Sequence, residues 1–305
     1  MRVLRLATRA SPLALWQARV VARALRRAHP AVRVQLVPVT SHGDRDQQTP
    51  LAAMPVIGAF CKEVHAAIRE GRADAGVHSC KDLPTRHPPD LVLAAVLPRA
   101  DPRDVLFGTA GLAALPSGAV IATGSPRRRA QLAALRPDLR FVELRGNIHT
   151  RLQKIARGAA DAACLALAGL RRLGLSAPCA AAVLDPWREC APAPGQGAIA
   201  VDCRADDRRT RVLLAAIDDR DTRRAILAER AVLAALGGGC ALPLGCLAAR
   251  QRGRWRLIAR HAAAAGLREA LVEAPYDELV QRAIGQLTAC KAQPSGLPGA
   301  ENHGN

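Results

Sequence analysis

A lone thiol set between glycines and a proline is the first feature of chemical interest. In Leu236-Gly237-Gly238-Gly239-Cys240-Ala241-Leu242-Pro243-Leu244-Gly245, Cys240 follows three consecutive glycines. Glycine accepts positive φ and lets another group approach the backbone, and proline ends a helix. The preceding stretch, Thr222 to Leu236, carries Ala225, Ile226, Leu233 and Leu236 at helical spacing. Cys240 is therefore expected on a tight, exposed loop beyond a helix end, where sulfur can carry a bulky group. The competing expectation is a buried structural thiol, the commoner fate of free cysteine. A second constellation, Ser79-Cys80-Lys81-Asp82-Leu83-Pro84, sets a cation beside a carboxylate, as a binding edge or as an ordinary solvated turn. The third is arginine: Arg9 with Ser11, then Arg127, Arg128 and Arg129 after Thr123-Gly124-Ser125, then Arg145 before Gly146-Asn147 with Arg151 beyond, and last Arg171 and Arg172 after Gly169. Guanidinium groups bind carboxylates and phosphates in bidentate fashion and keep their charge when buried.

These groups need elements to hold them. Val3 to Thr8 reads as a strand, Ser11-Pro12 as a helix start, and Leu13, Trp16, Val20 and Ala24 as one apolar helix face, followed by a strand from Val32 to Val39. That is a β-α-β unit and predicts a parallel sheet. Thr40 to Gly58 reads as a long mobile loop, Ala59 to Glu70 as a helix, Asp74 to His78 and Leu91 to Leu97 as strands. Pro98 to Arg103 marks a domain boundary. Strands follow at Ala119 to Ala122, Phe141 to Leu144 and Ala162 to Leu167. Ser125 should cap one helix, and Asn147 and Arg151 should share one face of the next. The arginine clusters thus recur where strands end and helices begin, the edge at which open α/β sheets bind ligands and helix N-termini favour anions. Pro192 to Gly197 is a hinge before a strand at Ala198 to Cys203. From Thr222 onward one helix, the Cys240 loop, strands at Leu247 to Arg250, Arg254 to His261 and Leu267 to Glu273, and a helix from Asp277 to Cys290 suggest a small α+β domain with a tail from Pro294 to Asn305.

The 305 residues suffice for two or three domains. The balance is basic, 44 Lys+Arg against 26 Asp+Glu, and only Lys62, Lys81, Lys154 and Lys291 are lysine. A net charge of +18 implies an anionic partner, nucleic acid, phosphate or polycarboxylate, unless it is a solvated basic coat. Nine cysteines are scattered singly with no CxxC pair, which argues against zinc sites and a disulfide framework, and for a reducing, cytoplasmic compartment. A transit peptide over Met1 to Ala18 competes with the strand-and-helix reading, and Arg5 and Arg9 interrupt its apolar run. No stretch approaches the ~18 apolar residues of a membrane span.

Several segments together resemble the porphobilinogen deaminase (hydroxymethylbilane synthase) family. They are Leu6 to Gln17, Val77 to Pro84, Leu144 to Asn147, Thr150 to Leu152, Ala168 to Gly174, Pro192 to Gly197 and the Gly238-Gly239-Cys240 loop, in order from Met1 to about Gly245. The resemblance implies a transferase that deaminates four porphobilinogen molecules and joins them head to tail into the linear tetrapyrrole hydroxymethylbilane, for the next enzyme of tetrapyrrole and heme synthesis. It implies two periplasmic-binding-protein-like α/β domains around a cleft and a small C-terminal α+β domain: 1–98 with 198–217, 99–197, and 218–305. It implies a dipyrromethane cofactor joined to Cys240 by a thioether. Carried over residue by residue, it makes Asp82 the catalytic carboxylate, which protonates the leaving amine and then stabilises the cationic azafulvene and pyrrolenine. Lys81, Ser79, Thr123, Ser125, Arg127, Arg128, Arg145 and Asn147 become cofactor-binding residues, and Arg9, Ser11, Arg151, Arg172 and Gln196 substrate-binding ones. No metal, nucleic acid or membrane partner is implied, and the chain is expected to be a monomer.

The sequence also departs from that pattern. Met54-Pro55-Val56-Ile57-Gly58-Ala59 stands where the family carries Gly-Gly-Lys-Gly, so the loop lysine is absent. Thr123-Gly124-Ser125-Pro126 has one hydroxyl fewer than usual and a proline at the helix start. A divergent copy of low activity is one reading of these changes. A cleft protein that binds without chemistry is a second hypothesis, and nucleic-acid binding, suggested by charge alone and lacking stacking aromatics, a third.

Overall fold

The computed structural model of the chain describes residues 2–40, 60–144, 146–175, 181–238 and 242–289. Of the loop expected over Thr40 to Gly58, all but Thr40 lies outside these residues, as do Arg145, Cys240 and the tail from 294.

The first β-α-β unit forms where the pattern places it: strand β1 (Arg2–Arg9), helix α1 (Pro12–Ala28) and strand β2 (Val32–Val39). Ser11 caps α1, its side chain accepting from the Ala14 amide at 3.4 Å, and Pro12 occupies the first turn, where a missing N–H costs nothing. The buried stripe is Ala14, Ala18, Val21, Ala22 and Leu25, one residue round from the expected Leu13, Trp16, Val20 and Ala24, which stay half-buried. Alanines at i, i+4 and i+8 let the helix lie close on the sheet, while Trp16 turns to a flank.

Helix α2 (Lys62–Arg69), strand β3 (Ala75–Ser79), a 3-10 turn at Cys80–Asp82 and strand β4 (Leu91–Val96) complete the first half. The second half contributes β5 (Asp104–Phe107), β6 (Val120–Ala122), α3 (Pro126–Leu135), β7 (Arg140–Val142), α4 (Ile148–Ala156), β8 (Ala162–Ala166), α5 (Leu167–Arg172) and β9 (Ala181–Val183). The chain then returns as β10 (Ile199–Arg204), followed by α6 (Arg208–Ala215).

Two five-stranded sheets result, in the orders β2-β1-β3-β10-β4 and β7-β6-β8-β5-β9. Both are mixed rather than parallel. β1 runs parallel to β2 and β3, but β10 runs antiparallel to β3 and β4. Likewise β6 is parallel to β7 and β8, while β5 is antiparallel to β8 and β9. The second sheet is buried on both faces: Leu106, Ala162 and Cys164 pack on one side, Val105, Phe107, Ala163 and Leu165 on the other. The third unit joins helix α7 (Arg220–Ala235), an antiparallel sheet β11 (Leu244–Gln251), β12 (Arg254–Ala263) and β13 (Gly266–Ala274), and helix α8 (Tyr276–Ala289) around Val232, Leu257, Leu279 and Leu287.

The two chain crossings between the halves run side by side. The Ala100 amide donates to Gly197 O (3.1 Å) and Arg99 Nε to Gln196 O (2.9 Å). Gly195 and Gly197 have φ of +77° and +85°; a Cβ at Gly197 would stand 2.6 Å from Ala100 O, and one at Gly195 2.9 Å from Cys80 Sγ. Glycine is thus required twice in Pro192 to Gly197, for conformation and for room. Buried Glu229 of α7 clamps the junction: it accepts from Arg99 Nη1 (2.5 Å) and Nη2 (3.1 Å), from the Gly195 amide (2.7 Å) and from the Ala248 amide of β11 (2.9 Å).

Candidate active site

The β1–α1 turn and the turn after β3 lie side by side because β1 and β3 are neighbours in the sheet. Together with Phe60 and Cys61 they enclose a cavity of about 90 Å³, lined by Arg9, Ser11, Leu13, Gln17, Ser79, Lys81 and Asp82 among others. Arg9 stacks over the Phe60 ring at 4.4 Å. Ser79 and Gln17 bond each other twice: Gln17 Nε2 donates to Ser79 Oγ (2.9 Å), and Ser79 Oγ lies 3.2 Å from Gln17 Oε1. The Cys61 thiol donates to the Asp82 carbonyl (3.1 Å), fixing the turn from beneath. A larger groove, about 450 Å³, lies between β4 and α6, and arginines are the only titratable groups among its lining residues.

Lys81 lines this cavity on the side nearest the second half of the chain. Burial lowers its pKa to about 8, with Arg128 and Arg127 adding to the shift and the charges of Asp82 and Asp104 opposing it. The side chain remains partly accessible to water, as a residue walled by protein on several sides can be. It feels groups of the second sheet, so the two halves face each other across this point.

On that second wall the sequence reading missed the organising residue, Asp104, at the start of β5 and wholly buried. Its carboxylate accepts from Arg127 Nη1 (2.7 Å), Arg128 Nη2 (2.7 Å) and Gln196 Nε2 (2.8 Å). Burial works against the charged form, but the two guanidiniums overcome it and hold the carboxyl well below its usual range. Arg127 Nη1 also donates to Ala191 O (2.7 Å) and Arg128 Nη1 to Cys164 O (3.0 Å). Arg128 Nε and Gln196 Oε1 are buried without a hydrogen-bond partner among the described residues. The one available signal was Asp101-Pro102-Arg103-Asp104, an acidic residue opening the apolar run Val105-Leu106-Phe107.

The remaining candidates are spread along the same edge. Thr123 is buried and its Oγ1 accepts from the Ser125 amide (3.3 Å). Ser125 stands at the N-cap of α3, but its side chain makes no capping bond, contrary to expectation. Asn147 caps α4, accepting from the Thr150 amide (3.0 Å), so it precedes the helix rather than sharing a face with Arg151. Arg151 Nε donates back to Gly146 O (2.8 Å). Arg172 of α5 crosses between the halves, donating to Gly197 O (2.6 Å) and lying 5.7 Å from the Trp16 ring; burial lowers its pKa to about 10.

Arg145 and Cys240 lie outside the described residues, but the chain beside Cys240 does not. Gly238 O accepts from Thr85 Oγ1 (2.8 Å), and Arg230 of α7 donates to Pro84 O and Thr85 O (2.5 and 3.1 Å), so the third unit docks on the segment that follows Asp82. Burial pushes the Cys80, Cys190 and Cys203 thiols up to about 12, and those of Cys164 and Cys246 well above the usual value. Such thiols are structural and poor nucleophiles at neutral pH.

Known proteins match this chain along most of its length. The family model described as porphobilinogen deaminase, dipyromethane cofactor binding domain, matches residues 4–212, and that described as porphobilinogen deaminase, C-terminal domain, matches 223–284. A porphobilinogen deaminase of Xanthomonas euvesicatoria is 50% identical over 250 residues, covering 81% of this chain and 82% of the relative. One of Roseiflexus is 51% identical over 243 residues, covering 79% and 80%. Among solved structures, the periplasmic VFT2 domain of Bordetella pertussis BvgS superposes with a TM-score of 0.42 at 13% identity, covering 70% of this chain and 86% of its own. The periplasmic sulfonate-binding protein SsuA of Methylobacillus flagellatus gives 0.39 at 15%, covering 75% and 67%. Both likenesses are too weak to bear on function.

Proposed function

The chain belongs to the porphobilinogen deaminase family, and from that premise we propose how its residues carry the family's reaction, the deamination and head-to-tail joining of four porphobilinogen molecules into hydroxymethylbilane. The observation that carries this reading is the convergence of Arg9, Ser11, Ser79, Lys81 and Asp82 on one cavity from two separate turns.

Each pyrrole of substrate and cofactor bears an acetate and a propionate, so the ligand is a polycarboxylate. The donor set fits it: Lys81 and Arg9 on one wall, Arg127 and Arg128 on the other, with the buried Nε of Arg128 still able to donate. When bound, the dipyrromethane supplies the primer pyrrole to which incoming units are joined. Cys240 would hold it, next to Gly238, whose carbonyl is tied to Thr85. Lys81, Ser79, Thr123, Ser125, Arg127, Arg128, Arg145 and Asn147 would bind its carboxylates and ring edges. Arg9, Ser11, Arg151, Arg172 and Gln196 would bind the incoming substrate.

Asp82 would pass a proton to the leaving amine and then, as a carboxylate, stabilise the positive charge that develops on the substrate ring. The Cys61 thiol on its backbone carbonyl anchors the turn that carries this carboxylate, and the Lys81 charge lies beside it. The division into 1–98 with 198–217, 99–197 and 218–305 rests on the three separate sheets. The protein would work as a cytoplasmic monomer that delivers its product to the next tetrapyrrole enzyme; nine cysteines with no CxxC pair support the reducing compartment. Among the described residues, no helix is long and apolar enough to cross a membrane.

Intact-mass measurement tests the reading. The purified protein should carry the added mass of two linked pyrroles, and Cys240→Ser should lose it. Asp82→Ala should keep that mass and lose nearly all turnover. A parent-like rate in Asp82→Ala, or added mass that survives Cys240→Ser, would overturn it.

A further inference from the structure

Beneath the Lys81-Asp82 turn lies a second cluster that the reaction does not use. Asp202 of β10 is wholly buried, and three histidines from three other segments surround it. His65 of α2 bonds Asp202 Oδ2 through Nε2 at 2.8 Å, and His78 of β3 bonds Oδ1 through Nε2 at 3.0 Å. His87, on the loop before β4, brings its Nε2 to 3.5 Å from Oδ2; that atom is buried and makes no hydrogen bond to any described residue. The potential ligand atoms of His65, His78 and Asp202 all lie within 4.8 Å of one another.

We propose that His65, His78 and Asp202, with His87 as the fourth ligand, form a site for a divalent transition-metal ion, zinc fitting best. Imidazole nitrogens with one carboxylate suit zinc, and four protein ligands with no open position make a structural rather than a catalytic site. A tetrahedron with bonds of about 2.0–2.1 Å has edges of roughly 3.3–3.4 Å. Each imidazole stands 2.8 to 3.5 Å from a carboxylate oxygen, and the His65, His78 and Asp202 ligand atoms lie within 4.8 Å of one another, so an ion would draw these three together while the His87 side chain swings in from its loop. Only glycine fits against the cluster: a Cβ at Gly76 would stand 2.6 Å from Asp202 Oδ1 and 2.8 Å from His78 Nε2. The ligands at 65, 78, 87 and 202 have no motif spacing, so no metal site was legible from their positions along the chain.

The ion would stiffen the floor of the cleft. β3 runs from His78 directly into Ser79, Lys81 and Asp82, and Cys61, at the start of α2 with His65, holds the Asp82 carbonyl. The site is independent of the reading given for Asp82 and Cys240, and its test does not depend on turnover.

Chelator-treated holoenzyme without a histidine tag would be titrated with Co²⁺, then with Zn²⁺ in competition. The expected result is one Co²⁺ per chain with the visible d–d absorption of a four-coordinate site, displaced by one equivalent of Zn²⁺. His65→Gln, which keeps a hydrogen-bond donor toward Asp202, should lower the affinity at least 100-fold, and Cys240→Ser should leave it unchanged. His87→Gln gives an independent check should His65→Gln fail to fold. No stoichiometric binding in the parent, or binding unaltered in both histidine variants, overturns the proposal.

Discussion

Replacing Asp104 tests whether the cleft's second wall is built as described. Its carboxylate is the common acceptor for two buried guanidiniums and the Gln196 amide, all at 2.7–2.8 Å. Asp104→Ala leaves Arg127 and Arg128 charged and buried with backbone carbonyls and the Cys190 sulfur as their remaining acceptors. Removing one partner of a buried ion pair costs about 3–5 kcal/mol. The two pairs share one carboxylate, so the costs do not double. At about 2–4 °C per kcal/mol for a body of this size, Tm should fall by roughly 6–20 °C. Because the folded carboxyl is held below its ordinary value, its contribution is present above about pH 3.9 and is lost only as pH falls through that lower value. The Tm gap between parent and variant should therefore be constant from pH 7 to 5. The triple change Asp104→Leu, Arg127→Met and Arg128→Met leaves no charge buried and should recover much of the Tm. It should still fail to take up the dipyrromethane, read by intact mass. A parent-like Tm in Asp104→Ala would refute the electrostatic account of this wall. A triple variant that loads cofactor normally would refute its role in binding.

Three further outcomes follow from other contacts. Lys81, with its pKa lowered to about 8, loses its charge as pH rises through that value, so uptake of the dipyrromethane by the cofactor-free chain, read by intact mass, should weaken above pH 8; Lys81→Arg should flatten that loss, and an unchanged pH profile would remove lysine from cofactor binding. Glu229→Ala strips the acceptor from Arg99, Gly195 and Ala248 at the three-way junction and should cost about 3–5 kcal/mol by chemical denaturation; a loss under 1 kcal/mol would show that the clamp is incidental. Gly76→Ala forces a methyl against Asp202, Val64 and His78 and should cost about 1–3 kcal/mol, visible as a lower Tm.

The elements that sequence periodicity located are those whose stabilising contacts are local. β1, α1 and β2 show alternation, a Ser-Pro start and helical spacing within forty residues. The elements it missed are those fixed by distant partners. β5 is four residues long and buried throughout, so it has neither length nor alternation to betray it. β9 is three residues at a sheet edge, and α6 carries arginines over most of its first turn. The antiparallel insertion of β10 between β3 and β4 depends on a return of over a hundred residues, which no local pattern encodes. The same distinction divides the site. Lys81-Asp82 could be read because both residues stand in one turn after one strand. Asp104 could not, because its partners lie 23 and 24 residues on and meet it only when β5 pairs with β8.

The surplus of arginine has two destinations, and separating them decides what the basic charge means. If it were only a solvated coat, guanidiniums would not be buried at chain crossings. Arg99 is held by Glu229, Arg127 and Arg128 by Asp104, and Arg172 by the Gly197 carbonyl, each where two segments meet. These arginines are partly neutralised by the protein itself, so they shape the cleft before any ligand arrives. On the proposed reading, a carboxylate entering between Lys81 and the Arg127–Arg128 pair would meet donors whose positions Asp104 has already fixed, and little reorganisation would oppose binding. That preorganisation, more than the net charge of +18, is what a polycarboxylate chain growing by one pyrrole at a time requires.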